Sequence, residues 1–287
     1  MTVVIPPKVA DIGFPVQRLL PRGRHQRVGP FIFFDHMGPA FFEAGTTRGD
    51  VRPHPHIGLA TVTYLFSGAL MHRDSLGVEQ RIEPGAINLM TAGRGITHSE
   101  RIPADIREQG IAVQGIQIWL ALPVEQEETE PDFSHYEASQ LPEWSDEHSS
   151  IRVLLGEACG ERSPVRTASP TTWLDIQVNN HGRCELPASR QELAVYLASG
   201  SADVNGTPLQ SHHLMLLDPG TPITLSTAEE PARLMLIGGD SLPGERFINW
   251  NFVSSSRERI DRAREDWRGG RFPVISGDED EFMPLPG

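Results

Sequence analysis

GDVRPHPHIGLATVTYLFSG (residues 49–68) and EPGAINLMTAGRGITHSE (83–100) are the stretches whose reading decides the fold. In the first, Val62, Tyr64 and Phe66 alternate with Thr61, Thr63 and Leu65. A period of two in branched and aromatic residues is a strand signal. Similar runs flank it: QRIEPGAINLMTAG (80–93) and VQGIQIWLAL (113–122), each broken or followed by Gly or Pro. Residues 123–150 turn acidic and Pro-containing, which reads as a linker. The pattern then resumes in IRVLLGE, TWLDIQV, LAVYLASGSADVNGTPL and LMLLDPGTPITL, where Asn205-Gly206 is a hairpin turn signal. Only SSSRERIDRAREDWRGG (254–270) has a helical period, with serines to cap its start and Gly-Gly to stop it.

Composition agrees. The 287 residues hold 27 Gly and 24 Pro, turn formers in numbers that favour many short strands over long helices. A 38% hydrophobic content is enough for a core, and the length suits one large domain or two smaller ones. No apolar run approaches the roughly 20 residues that a membrane helix requires, and MTVVIPPKVADIGF lacks the layout of a secretion signal. Cys159 and Cys184 form no CxxC pair, against a zinc ribbon or disulfide scaffold. A net charge of −13 is a poor match to duplex nucleic acid, which needs a basic face. The expectation is a cytoplasmic protein with no direct nucleic-acid or membrane partner. The acidic runs EQEETEPD (125–132) and GDEDE (277–281) read as solvated surface.

His54-Pro55-His56 carries the chemistry. Residues two apart on a strand share a face, so both imidazoles can converge on one ion, and Pro55 suits an edge or a strand start. Alone such a pair often does no more than pack. THSE (97–100) strengthens it: His98 and Glu100 are again two apart, after the glycine-rich turn AGRGI (92–96). If the two segments face each other in a barrel, three imidazoles and a carboxylate reach one point. That donor set, free of thiolate, suits Fe(II), Mn, Ni, Cu or Zn. Open positions for substrate or dioxygen would make it catalytic more than structural.

The two stretches quoted first resemble the metal motifs of the pirin family in the cupin superfamily. The resemblance continues through GIQIWLALP (115–123) and the tail GGRFPVISGDEDEFMPLP (269–286). It implies an all-β bicupin: two antiparallel β-barrel (jelly-roll) domains packed face to face, with a short C-terminal helix. The corresponding division is 1–131 for a metal-binding barrel and 132–287 for a metal-free one. The family's ligands fall on His54, His56, His98 and Glu100, around one divalent metal ion, Fe(II) in most members. Ala60 stands near the place where a general cupin pattern has a further glutamate, so Glu100 is the one evident carboxylate.

The implied activity is dioxygenolytic opening of a flavonol such as quercetin, with dioxygen as co-substrate and Glu100 as base. Two alternatives stand beside it. One is a metal- or redox-sensing regulator that binds a transcription factor or a metabolic enzyme; the other is a sugar-type cupin isomerase, against which the tail argues. A bicupin needs no second copy to pair its barrels, so a monomer is expected.

Other residues have plainer expectations. Asp35 and His36 in FIFFDHMGPA read as a hydrogen-bonded turn ahead of a loop at the barrel mouth, and Arg94 as a donor to backbone carbonyls ahead of an attractor of anionic substrate. Gln117 and Trp119 share strand parity and either line the metal cavity or occupy the barrel wall. His25, His72, His135 and His148 have no partner pattern and default to surface or satisfied positions. His181 in NNHGR and the adjacent His212-His213 read as structural or surface.

Overall fold

The computed structural model describes residues 3–286, nearly all in antiparallel strands and the turns between them. The strands group into two compact units, each with a jelly-roll pair of sheets.

One unit contains Met37–Ala138 and the chain from Pro243 onward. Its smaller sheet orders the strands Val51–His56, Ile96–Arg101, Leu70–Asp74 and Glu79–Ile82. Its larger sheet places Asp132–Tyr136, Ile87–Thr91, Leu59–Ser67 and Val113–Ala121 side by side. Leu65, Leu70, Ile82, Ile102 and Val113 belong to one buried cluster in its interior. Gly58 turns the chain after His56 at φ +68°, and its N–H donates to the Gly93 carbonyl at 2.8 Å. A Cβ there would overlap the Val253 carbonyl oxygen, so only glycine fits.

The other unit contains the chain up to Val9, Gln17–His36 and Ser139–Leu242. Its seven-stranded sheet runs from Val3–Ile5 through Leu214–Leu216, Glu192–Ser199, Ala232–Gly239, Thr171–Val178 and Ser149–Leu155 to Glu143–Ser145. A four-stranded sheet of Arg183–Leu186, Ile223–Ser226, Ala202–Val204 and Thr207–Leu209 accompanies it. Leu174, Val195, Leu225 and Leu234 are part of a buried core that also holds Cys184 and Met215. The expected hairpin is present: Asn205 and Gly206 both have positive φ, 49° and 75°, between paired strands.

The interleaving departs from a division at 131/132. Asp132–Tyr136, expected in a linker, pairs with Ile87–Thr91 and extends the sheet of the His54 unit. The Pro243–Gly287 segment returns to that unit as well. Hydrophobic burial explains the return. Phe252, Ile260 and Ala263 form a buried cluster with Ile57, and Trp267, Phe272 and Leu285 pack against it. The helix Arg257–Arg268 lies where its period placed it, with the Ser256 side chain accepting from the Arg259 N–H.

Several expectations fail, and for the two acidic runs the reason is that the returning segment pairs with the rest of this unit. Glu127 is buried and ion-paired with Arg246 at 2.8 Å, and it accepts from Ser254 and Ser255. Asp278 and Glu281 both hold Arg101. Arg94 pairs with Glu130 at 2.5 Å rather than with backbone carbonyls. Asp35 and His36 lie in the strand Phe31–Ala40 instead of a turn. Asp35 takes a two-pronged bond from Arg18, and His36 shares a 2.6 Å hydrogen bond with the Tyr196 hydroxyl.

Candidate metal centre

Strand alternation delivers the three histidines. Across the pairing of Val51–His56 with Ile96–Arg101, His98 stands opposite His54, and His56 stands one pleat along on the same face. All three are buried, and one ring nitrogen of each lies within 4.8 Å of the others. Ring centroids are 4.3 Å apart for His54 and His98, 5.1 Å for His54 and His56, and 5.0 Å for His56 and His98. The edge of the Trp119 indole walls the cluster beside His56, at 5.1 Å between centroids.

Electrostatics favour the uncharged form of each ring. Burial pushes His54 down to about 4, against a backbone hydrogen bond to the Arg52 carbonyl. His56 and His98 are held well below the usual histidine range, first by burial and then by neighbouring imidazoles. Neutral imidazole is the ligand form. The Arg52 carbonyl accepts from His54 Nδ1 at 2.8 Å, which leaves Nε2 as the bare donor. His98 Nε2 is buried with no hydrogen-bond partner among the described residues. Unpartnered nitrogen of this kind is costly unless something fills the site, and a divalent transition metal fits three neutral imidazoles.

Glu100 sits on the same strand two residues beyond His98 and is buried, but its carboxylate stands outside the three-nitrogen group. A bulge between His98 and Glu100 shifts the pairing with the His54 strand. Gln117 Nε2 donates to Glu100 Oε1 at 2.8 Å, and the Thr63 hydroxyl donates to the same oxygen at 3.4 Å. Burial raises the Glu100 carboxyl above its ordinary range, and the Gln117 hydrogen bond opposes the shift. Gln117 and Trp119 therefore both face the cluster, one holding the carboxylate and one beside an imidazole.

Sequence reasoning passed over the second layer. His72, expected at a surface or satisfied position, is buried behind His98, with Asp74 hydrogen-bonded beside it and Phe133 stacked on its ring at 4.5 Å. The signal was present in LMHRD (70–74): His72 and Asp74 share parity with Leu70 and so point inward. Thr63, one step of the alternation in residues 61–66, also reaches the Glu100 carboxylate. His148 and His181 are exposed as expected, and His135 is satisfied by Asn88 and Glu137. The metal-type group of His54, His56 and His98 is the one such group found among the described residues.

Comparison with known proteins accords with this geometry. The Pirin family model matches residues 13–120, and the model of the Pirin C-terminal cupin domain matches residues 173–273. A pirin-like protein of Caulobacter vibrioides is 45% identical over 279 residues, 96% of each chain. A Pseudomonas aeruginosa protein, provisionally named as a quercetin 2,3-dioxygenase, is 36% identical over 97% of this chain and 89% of its own. The crystal structure of a quercetin 2,3-dioxygenase from Acinetobacter baumannii matches with a TM-score of 0.91 at 33% identity. That match covers 100% of this chain and 95% of the other. With two jelly-roll units, a buried three-histidine cluster in the first half and both family domains in order, the chain belongs to the pirin family of bicupins.

Proposed function

We propose that this protein is a mononuclear metal dioxygenase that opens a flavonol-like aromatic substrate with dioxygen. The observation that carries the reading is the convergence of three buried imidazoles, with the buried carboxylate of Glu100 two residues beyond His98 on the same strand. Likeness to the Acinetobacter baumannii quercetin 2,3-dioxygenase over the whole chain supports it. His54, His56 and His98 would hold the ion, Fe(II) first among the candidates, with Glu100 as a further ligand. When bound, the metal supplies Lewis acidity and a template for dioxygen.

The remaining work falls to side chains of this chain. Glu100 is the base for the substrate's acidic 3-hydroxyl, because its buried carboxylate lies on the His98 strand, held by Gln117 and Thr63. Gln117 and Thr63 fix the orientation of Glu100 Oε1. Trp119, beside His56, would give a bound aromatic ring an apolar neighbour.

The test is direct. The protein is loaded with Fe(II), and the flavonol absorbance band is followed in air. The band should decay with wild type and persist with His98→Ala. Glu100→Gln should keep the bound metal but lose about 10²–10⁴-fold in turnover. An iron-loaded protein that leaves the band intact, or a His98→Ala variant as active as wild type, would remove the dioxygenase reading. Turnover that proceeds equally without oxygen would point to an isomerase.

A further inference from the structure

We infer that His72 and Asp74 are positioning residues for the metal centre, which lock His98 in the tautomer that leaves its Nε2 bare. The inference rests on the reading of His54, His56 and His98 as metal ligands. Neither His72 nor Asp74 belongs to the three-nitrogen group itself.

Geometry sets the direction of each hydrogen bond. The strand Leu70–Asp74 lies on the far side of the His98 strand from His54, with Asp74 opposite His98 and His72 opposite Glu100. His72 Nε2 is 3.0 Å from Asp74 Oδ2, and both side chains are buried. An ionised carboxylate only accepts, so the N–H between them belongs to His72 Nε2. A neutral imidazole carries one N–H, which leaves His72 Nδ1 as an acceptor. His98 Nδ1 lies 3.5 Å from it, at the long end of hydrogen-bond range. Only a proton on His98 Nδ1 makes that contact favourable. His98 Nε2 then keeps its lone pair, and it is the buried nitrogen with no other partner.

Two further contacts hold this relay rigid. Asp74 Oδ1 accepts from the backbone N–H groups of Leu76 and Val78 at 2.9 and 3.2 Å, which fixes the carboxylate plane. Phe133 stacks on the His72 ring, 22° from parallel, and prevents it from turning. A carboxylate behind a histidine behind a metal-binding histidine is a longer form of the outer-layer support that orients metal ligands and raises their basicity.

The decisive measurement uses the full-length protein with ¹⁵N-labelled histidine, loaded with Zn(II). Long-range ¹H–¹⁵N correlation spectra read the tautomer of each ring. His98 should carry its proton on Nδ1 and zinc on Nε2, while His72 carries a single proton on Nε2. A His72 ring protonated on Nδ1, or on both nitrogens, while zinc still sits on His98 overturns the inference and leaves the metal reading intact. Zinc that leaves the His98 signals unmoved overturns both.

Zinc affinity from chelator competition gives a second arm. Asp74→Asn keeps an oxygen for the Leu76 and Val78 N–H groups but turns a donor toward His72. That reverses the His72 tautomer and sets two N–H groups against each other at His98. His72→Phe keeps the stacking on Phe133 and removes the acceptor. Each variant should weaken zinc binding about 10–100-fold. The double variant should be no weaker than His72→Phe, because Asp74 acts through His72. Wild-type affinity in Asp74→Asn, or fully additive losses in the double variant, overturns the inference.

Discussion

Single residues here owe their chemistry to burial more than to type. His36 shows it in the unit that lacks the histidine cluster. Burial pushes its pKa down to about 3, with His212 and Arg233 adding to the shift. Its neutral ring shares a hydrogen bond with Tyr196, whose own hydroxyl burial holds above the tyrosine range. Between its folded value of about 3 and its ordinary value of 6.5, the unfolded chain binds a proton that the folded chain refuses. The stabilisation is therefore complete above pH 6.5 and is lost as pH falls through that window, by about 1.4 kcal/mol per pH unit. Urea midpoints measured from pH 7.5 to pH 4 check it. His36→Leu should be less stable than wild type at pH 7.5, because the Tyr196 hydroxyl loses its partner, yet show the flatter decline on acidification. Parallel declines in the two proteins would mean that His36 is not the group responsible.

At the scale of elements, the chain after Pro243 is a strap laid along the backs of the two ligand-bearing strands. The Met283 N–H donates to the Pro53 carbonyl at 2.8 Å, one residue before His54. Asp278 accepts from the Ser99 hydroxyl at 2.7 Å and from Arg101 at 2.5 and 3.2 Å, so it grips the residues on either side of Glu100. Trp267 closes the strap on itself by donating to the Met283 carbonyl at 2.9 Å. Hydrogen bonds to charged groups contribute about 1.5–3 kcal/mol each when partly buried. Asp278→Ala should lower the thermal midpoint on the order of 4–8 °C. Calorimetry of the full chain tests this, and an unchanged midpoint would mean that the acidic run GDEDE is surface after all. Much of this level was legible: the alternation in 59–67, the Asn205-Gly206 hairpin and the capped helix are local patterns read by local rules. The strap was not legible, because Asp278 meets Ser99 across 179 residues and no periodicity encodes such a contact.

At the scale of the whole molecule, the unit that holds the histidine cluster is built from distant parts of the chain. Ile57 is buried by Phe252, Ile260 and Ala263, and buried Glu127 is balanced by Arg246. Leaving one partner of a buried ion pair uncompensated costs about 3–5 kcal/mol. A fragment ending at residue 138 loses Arg246, the aromatic strap and the cover over Ile57 together. It should fail to unfold cooperatively and bind Zn(II) far more weakly than the full chain, and residues 243–287 added in trans should restore both. Urea melts followed by tryptophan fluorescence, with zinc titration alongside, decide the matter. A fragment to 138 that unfolds cooperatively with undiminished zinc affinity would show the strap to be dispensable.

The sequence by itself determined the strand-rich class and the parity that puts His54 with His56, and His98 with Glu100, on one face of their strands. These follow from the pleat, which puts residues two apart on one face whatever surrounds them. Tertiary structure alone decided the rest. It set the carboxylate of Glu100 apart in the hands of Gln117 and Thr63, brought His72 and Asp74 up behind His98, and returned the tail to cover the first barrel. Those outcomes depend on which buried polar atom finds which partner and on where apolar surface is left uncovered. Both are settled by strand register, bulges and long-range packing, which no stretch of this chain specifies alone.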